Sequence, residues 1–191
     1  SKEYKWARWE ADTWTAAFFW PIPAGDPWTL PAPTQEVLRT VRAGKLKLHE
    51  ALLREVRRMA KQHQFFHWAL QFPEVFQREH GGFDVMLMNP PWERIKLQEK
   101  EWFAARSPDV AAAASASVRK KMIEALKTDA PDLFQAFLSD LRVAEMESAF
   151  VRTSGRFPLS ARGDVNTYGL FVELCRSLQC SMGRTGIIVP T

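Results

Sequence analysis

This 191-residue sequence has only two cysteines, no long apolar run and no Gly-x-Gly segment. Because no window approaches eighteen uncharged apolar residues, a membrane-spanning helix is excluded. No basic segment followed by an apolar one opens the chain, which argues against a secretory signal. Since Cys175 and Cys180 are the only cysteines, a disulfide scaffold is excluded, and a reducing cytosol is the expected compartment.

The composition that remains is that of a globular protein, with 46% hydrophobic and 25% charged residues. Intrinsic disorder is excluded because it requires few apolar residues and a large charge imbalance. Glycine and proline, at 9 and 12 residues, follow no period, so the chain is not collagen-like. We therefore expect one domain of ordinary size.

The net charge of +4 is concentrated between residues 39 and 61. One interpretation is that this stretch contacts DNA phosphates. The other is a solvated face of amphipathic helices, with an apolar stripe on the opposite side. The two interpretations are compatible. The basic residues that we name as candidate nucleic-acid contacts are Arg54, Arg57, Arg58 and Lys61, and the predicted buried stripe is Leu38, Val41, Leu48, Leu52, Val56 and Met59.

Tryptophan is concentrated in the first thirty residues. An apolar helix is predicted there, and it must end before Pro21, because proline cannot extend a helix. Five prolines between residues 21 and 33 then indicate an extended connector. The indoles could stack on bases, but packing in a core or an interface is the favoured interpretation. The tryptophans in question are Trp6, Trp9, Trp14, Trp20 and Trp28.

Two short apolar segments, at residues 83–88 and 187–189, predict strands. Neither alternates between apolar and polar residues, which is typical of strands buried on both faces of a parallel sheet. Helical patterns separate them. One covers residues 98–153, with a helix-capping Asp-Ala-Pro-Asp at 129–132, and another covers 165–180; glycines at 183 and 186 are expected to interrupt the chain before the second strand. The predicted fold class is therefore α/β with a large helical share.

Two strands are too few for such a sheet, so we expect the chain to be a piece of a larger protein. The predicted organisation is a Trp-rich helix and Pro-rich connector (1–33), a basic helical region capped by Thr34 and broken at Gly44 (34–82), a strand with a catalytic loop (83–92), a helical insertion (93–164), and a helix followed by a strand (165–191).

The sequence Asn89-Pro90-Pro91-Trp92 directly follows the first predicted strand. Two prolines fix φ and remove two backbone donors, so the neighbouring carbonyls are free to accept hydrogen bonds. Asn89 adds a carboxamide acceptor, and Trp92 adds a flat apolar surface. At the carboxyl end of a parallel strand, where such folds bind ligands, these groups predict a cleft for a planar group bearing an NH₂.

Such a cleft suits methylation of an exocyclic amine. The amino nitrogen of adenine is a poor nucleophile because its lone pair is delocalised into the ring. Two acceptors on its hydrogens favour tetrahedral geometry and stabilise the positive charge that develops during attack on a sulfonium methyl. Stacking on an aromatic ring holds the base, at roughly 1–3 kcal/mol. Neither a metal nor a covalent intermediate is required.

The segment Phe-Asp-Val-Met-Leu-Met-Asn-Pro-Pro-Trp, ending at Trp92, resembles the catalytic motif of the amino-methyltransferases. The flanking segments 67–76, 166–173 and 186–190 are similar to the methylase region of type IIG restriction–modification enzymes and related phage-defence methylases, which modify adenine in DNA. This resemblance implies a partial Rossmann-like fold, S-adenosylmethionine as cofactor, and a place in the bacterial or archaeal cytoplasm. It also implies two partners, double-stranded DNA with a flipped adenine and the rest of the parent methylase.

The resemblance further implies residue roles. Asn89 and the carbonyl of Pro90 would accept hydrogen bonds from the target amine, Pro91 would keep the loop rigid, and Trp92, where the family usually has Tyr or Phe, would stack on the flipped base. Asn89 would also face the cofactor, and Asp84 is a weaker candidate for that side.

The family's glycine-rich cofactor loop has no counterpart before Asn89. We therefore expect that the chain alone neither binds S-adenosylmethionine tightly nor methylates. Two alternatives stay open. The same loop chemistry serves RNA bases and protein glutamine, and the chain could also be a non-catalytic interaction module of a defence complex.

Other candidate sites are weaker. His63 and His67 have the i, i+4 spacing of a zinc helix, but Gln64 stands where a metalloprotease requires Glu, so packing is favoured and no metal is expected. The cysteines are expected to be core thiols, and Glu173 is expected to form a local ion pair.

Overall fold

The computed structural model describes residues 2–20, 32–45 and 49–190. Most of the predicted Pro-rich connector, with Trp28, lies outside the described residues, as does Leu48 of the predicted buried stripe. The helices are α1 (Lys2–Phe19), α2 (Gln35–Arg42), α3 (Glu50–Gln62), α4 (Trp68–Gln71), α5 (Pro73–Phe76), α6 (Glu99–Ala104), α7 (Pro108–Ala111), α8 (Ala116–Asp129), α9 (Pro131–Thr153) and α10 (Thr167–Leu178), and the strands are β1 (Phe83–Met88) and β2 (Gln179–Ile187).

The helices α1, α2 and α3 pack together into an N-terminal cluster. As predicted, Thr34 caps α2, its hydroxyl accepting from the backbone N–H of Val37 at 3.4 Å. The helix ends at Arg42, and the predicted break follows at Gly44, whose φ is +77°. Two of the N-terminal tryptophans contribute to this packing, since Trp20 is buried and Trp9 packs against the core of the cluster. The buried core of the cluster is Ala16, Phe19, Trp20, Val37, Val41, Leu52, Leu53, Val56 and Met59.

The region 98–153 is mostly helical, and a new helix begins at the predicted cap, where Pro131 is the first residue of α9; further breaks before α7 and α8 were not predicted. It divides into α6, α7, α8 and α9. Proline fits the first turn of a helix but not its interior, and Pro108 and Pro131 each begin a new helix. The alanine run ends α7, and the hydroxyl of Ser115 caps α8 by accepting from the N–H of Val118 at 3.2 Å. A second core forms here from Phe103, Val110, Ile123, Phe134 and Phe137.

The two strands pair in parallel, as predicted, with Met88 opposite Ile187. The position predicted for the second strand is wrong, because β2 begins directly after α10 and ends where the prediction began it. The two glycines expected to interrupt the chain lie inside β2. A Cβ at Gly183 would be 2.8 Å from the carbonyl oxygen of Phe83, and one at Gly186 would be 2.8 Å from the side chain of Leu87. Glycine therefore permits the close approach of the two strands.

Only one face of the sheet is covered. Met86 is buried against Cys175 and Leu178 of α10. On the other face Val85 is 61% and Leu87 is 80% exposed. The expectation that the strands are buried on both faces is therefore wrong for the described chain, because α10 packs against one side and no described element covers the other.

Candidate active site

The 89–92 loop begins where the ladder between the strands ends. The N–H of Ile188 donates to the carbonyl of Met88 at 3.1 Å, which extends the pairing to the last residue before the loop. Both strands run in the same direction, so the loop lies at the carboxyl edge of the sheet. Pro90 is buried, while Asn89 is exposed and Trp92 is 50% exposed. The buried Pro90 thus anchors the loop, while the side chains of Asn89 and Trp92 are exposed.

Two hydrogen-bond acceptors in the loop have no described partner. Neither proline has an N–H group, so the loop makes few bonds with itself. Within the described part of the chain, no group donates to the carboxamide of Asn89 or to the carbonyl of Pro90. Two acceptors next to each other along the chain are therefore without a described partner; Asn89 is exposed, whereas Pro90 is buried.

A second segment holds the far end of the loop. The hydroxyl of Thr167 donates to the carbonyl of Pro91 at 2.6 Å and accepts from the backbone N–H of Glu93 at 3.0 Å. The N–H of Thr167 donates in turn to the carbonyl of Glu93 at 2.8 Å. Residue 94 continues the contact through an antiparallel bridge to Asn166. These bonds tie the loop to the start of α10.

Sequence reasoning did not single out Thr167. The sequence offers only a local signal, because Asn is a preferred N-cap residue and Asn166 therefore indicates a helix that begins at Thr167. The structure confirms the cap, in which Asn166 accepts from the N–H of Tyr168 at 3.2 Å. Nothing in that signal reveals a partner 76 residues away.

An open cavity of about 760 Å³ adjoins Trp92. This volume is within the usual range for small-molecule sites, about 300–1,000 Å³. Two indoles line it, those of Trp92 and Trp102, together with Arg94, Lys96 and Asn166. Trp102 is held by its own contacts, since its Nε1 donates to Asp140 at 2.8 Å and Arg106 lies over its ring at 4.4 Å.

Asp84 lies at the opposite end of β1 from the loop. Five residue steps separate it from Asn89, about 16 Å at roughly 3.3 Å per residue. Its carboxylate pairs with Arg78 at 2.9 Å. Hydrogen bonds from Arg78 and from the thiol of Cys180 lower the pKa of Asp84. The structure does not bring this candidate to the loop.

The four candidate phosphate-contacting residues lie exposed on α3, which belongs to the N-terminal cluster. Arg54 lies 3.7 Å from Glu50, and Arg57 lies over the ring of Trp9 at 4.9 Å. Arg58 donates to Glu55, and this hydrogen bond lowers the pKa of Glu55. For Lys61 no ion pair is present among the described residues.

The two histidines with zinc spacing have separate surroundings. His63 packs against Phe19 and Phe65, with ring centroids 4.9 Å and 6.2 Å apart. Burial, with a smaller contribution from the charge of Arg58, lowers the pKa of His63. His67 Nε2 forms a hydrogen bond to Asp12 Oδ1 at 2.8 Å. In the part of the chain that the structure describes, no group of three metal-ligating side chains comes together.

Glu173 and the two cysteines have contacts within the fold and, among the described residues, no hydrogen bond with the 89–92 loop. The carboxylate of Glu173 accepts from the backbone N–H groups of Leu159 and Ser160 at 3.0 and 2.8 Å, so it holds a loop in place of the expected ion pair. Desolvation raises the pKa of Glu173, but the hydrogen bonds from Ser160 and Leu159, with a smaller contribution from the charge of Arg176, lower it overall. Cys175 and Cys180 are buried free thiols, as predicted. None of the described helices is both long and apolar enough to cross a membrane.

Two acceptors without a described partner, next to an exposed indole at the carboxyl edge of a parallel sheet, suit a methylase that acts on a planar amine. The family model described as Eco57I restriction-modification methylase matches residues 35–141, more than half of the chain. The chain belongs to this family, which confirms the resemblance to a restriction–modification methylase and supports a DNA methyltransferase. Comparisons with curated proteins and with solved structures find no match.

Proposed function

We propose that the protein methylates the exocyclic amino group of adenine in double-stranded DNA, with S-adenosylmethionine as the methyl donor. The observation that carries this proposal is that the acceptors of Asn89 and Pro90, at the end of a parallel strand, have no partner among the described residues. Family membership favours DNA as the substrate. Restriction–modification or phage defence is the biological setting that we infer from it.

The loop residues act on the target amine. The Asn89 oxygen and the Pro90 carbonyl accept its two N–H groups, which favours a tetrahedral nitrogen and stabilises positive charge on it as the methyl group is transferred. An asparagine amide is not a base at ordinary pH, so the proton leaves to water. The ring of Trp92, already half exposed, offers a stacking surface that offsets part of the few kcal/mol that base flipping costs.

S-adenosylmethionine would supply an electrophilic methyl group on a positively charged sulfur. Of the two residues considered for its side of the site, Asn89 lies at the carboxyl edge of the sheet, where ligands of such folds bind. Asp84 is engaged by Arg78 at the other end of β1. Of these two candidates, Asn89 is therefore the one that we propose for the donor side.

We further propose that β1 and β2 are neighbouring strands of a Rossmann-like sheet. Their parallel pairing, the helix between them on one face and the exposed apolar side chains on the other support this arrangement. In a complete sheet, helices would cover both faces.

The proposal is tested by transfer of a labelled methyl group from S-adenosylmethionine by the full-length protein, offered DNA, RNA and protein in parallel. We expect label in DNA adenine, and a loss on the order of 10²-fold or more in Asn89→Ala, because an acceptor acting on the transition state is removed. Gln135→Ala, which removes an exposed side-chain amide on α9 and leaves the loop and its contacts in place, is the matched control.

The other outcomes decide between the remaining interpretations. Label in RNA or in protein glutamine would mean that the protein is a methyltransferase with a different substrate from DNA. If no substrate is labelled although S-adenosylmethionine binds, methylation is refuted and a non-catalytic interaction module becomes the better interpretation.

A further inference from the structure

We propose that Thr167 is a positioning residue that sets the place and direction of Trp92, an inference that rests on the proposed function. Thr167 bonds the backbone on both sides of Trp92: its hydroxyl donates to the Pro91 carbonyl at 2.6 Å and accepts from the Glu93 N–H at 3.0 Å. One hydroxyl group thus brackets the residue whose ring is exposed to the substrate side.

Little else holds Trp92. Its ring has no aromatic or cationic neighbour in ring-stacking distance among the described residues, and half of its surface is exposed. The backbone before it has no N–H to donate at Pro90 and Pro91. The direction of the indole therefore depends on how its two flanking peptide groups are fixed, and Thr167 fixes both.

Thr167 is itself well anchored. It is the first residue of α10, it donates its own N–H to the Glu93 carbonyl at 2.8 Å, and Asn166 before it caps the helix. The same helix packs through Cys175 and Leu178 against Met86 of β1. One helix therefore supports the strand that leads into the loop and, at its other end, the residue that follows the acceptors.

The arrangement divides the loop into two functional parts. Thr167 occupies the Pro91 carbonyl, and the acceptors of Asn89 and Pro90 have no such internal donor among the described residues. The hydrogen bond thus rigidifies the stacking end of the loop without using the acceptors that the target amine needs. Thr167 also lies beyond residues 35–141, so the family match does not cover it.

The test uses Thr167→Val, which keeps the shape and removes the hydroxyl, in the full-length protein. We expect kcat/KM for methyl transfer to DNA to fall about 10-fold, mostly through KM for DNA, because the stacking surface is less well ordered. Thr167→Ser restores the hydroxyl and should recover most of the loss. Thr153→Val is the matched control, since the Thr153 hydroxyl bonds only within α9, to the carbonyl of Ala149.

A double-mutant cycle separates positioning from a general structural role. If Thr167 acts through Trp92, Thr167→Val should have little further effect in a Trp92→Ala background. Full additivity of the two changes would overturn the inference, as would wild-type kinetics in Thr167→Val. If Asn89→Ala abolishes transfer while the cycle is additive, the proposed function stands and the positioning role fails.

A second readout does not depend on activity. Amide hydrogen exchange at Glu93 should be faster in Thr167→Val than in wild type or Thr153→Val, because the Glu93 N–H loses its acceptor. Unchanged exchange at Glu93 would refute the inference even if no methyl transfer were found in any variant.

Discussion

The N-terminal helical cluster and the 89–92 loop differ in how their groups find partners. In the cluster, apolar side chains bury one another and exposed arginines are paired nearby, as in Arg54 with Glu50 and Arg58 with Glu55. In the loop, Asn89 and the Pro90 carbonyl have no described internal partner, and Trp92 is half exposed. A region with satisfied groups is suited to stability, whereas a rigid region with open acceptors is suited to binding.

The largest expected effect is on stability, and it tests whether the N-terminal cluster stabilises the fold without shaping the site. Met59 is 1% exposed at the centre of the N-terminal cluster. Met59→Ala should lower the free energy of unfolding by about 2–5 kcal/mol, because it leaves a cavity. Urea denaturation measures this change. We expect the folded fraction to keep its methyl-transfer rate; a rate that falls as steeply as in Asn89→Ala would mean that the cluster also shapes the site.

Next in size is the effect of removing the stacking surface. Trp92→Ala should weaken productive DNA binding by roughly 1–3 kcal/mol, because a base loses its aromatic partner. The free energy of unfolding should change little, since half of the ring is exposed.

Steady-state kinetics and urea denaturation of the same variant check both parts of that prediction. Trp92→Phe is the control that keeps an aromatic face. If Trp92→Ala unfolded the protein but spared catalysis, Trp92 would be a packing residue, and the contrast between the two regions would fail.

A smaller effect is expected on the outer face of α3. The double change Arg54→Glu and Lys61→Glu should weaken DNA binding and reduce the salt dependence of the affinity by about one counterion for each lost phosphate contact. The double change Lys120→Glu and Lys121→Glu on α8 alters the net charge equally and is the control. Equal affinities for both double variants, measured over a range of salt concentrations, would leave the α3 face as a solvated surface only.

The smallest effect is a pH dependence of stability. The pKa of His63 is lowered in the folded state by burial and by Arg58, so the unfolded state binds its proton more readily. The free energy of unfolding should therefore rise with pH up to the ordinary histidine value of about 6.5 and level off above it.

Denaturation at several pH values, in wild type and in His63→Gln, measures the share of this slope that belongs to His63. The solvent-exposed His80, changed in the same way, is the control. A slope that persists unchanged in His63→Gln would assign the dependence to other groups.

Much of the local structure could be predicted from particular residues. Thr34 and Gly44 bound α2 as expected, because capping and a positive φ depend on the residue itself. The strand before Asn89 and the parallel pairing followed from apolar patterning. The position of β2 could not be predicted, because glycine in a sequence normally indicates a turn. The reason for Gly183 and Gly186 becomes visible only when β1 lies beside them, since a Cβ at either position would be too close to β1.

The sequence by itself determined the chemical groups of the candidate site, since the acceptors of Asn89 and Pro90 and the ring of Trp92 are properties of one tetrapeptide. Only the tertiary structure decided how that tetrapeptide is held. Thr167 reaches the loop from a residue 76 positions away along the chain, and α10 covers one face of β1 and leaves the other open. Periodicity and residue chemistry report on neighbours along the chain, whereas these contacts depend on the packing of elements that only folding brings together.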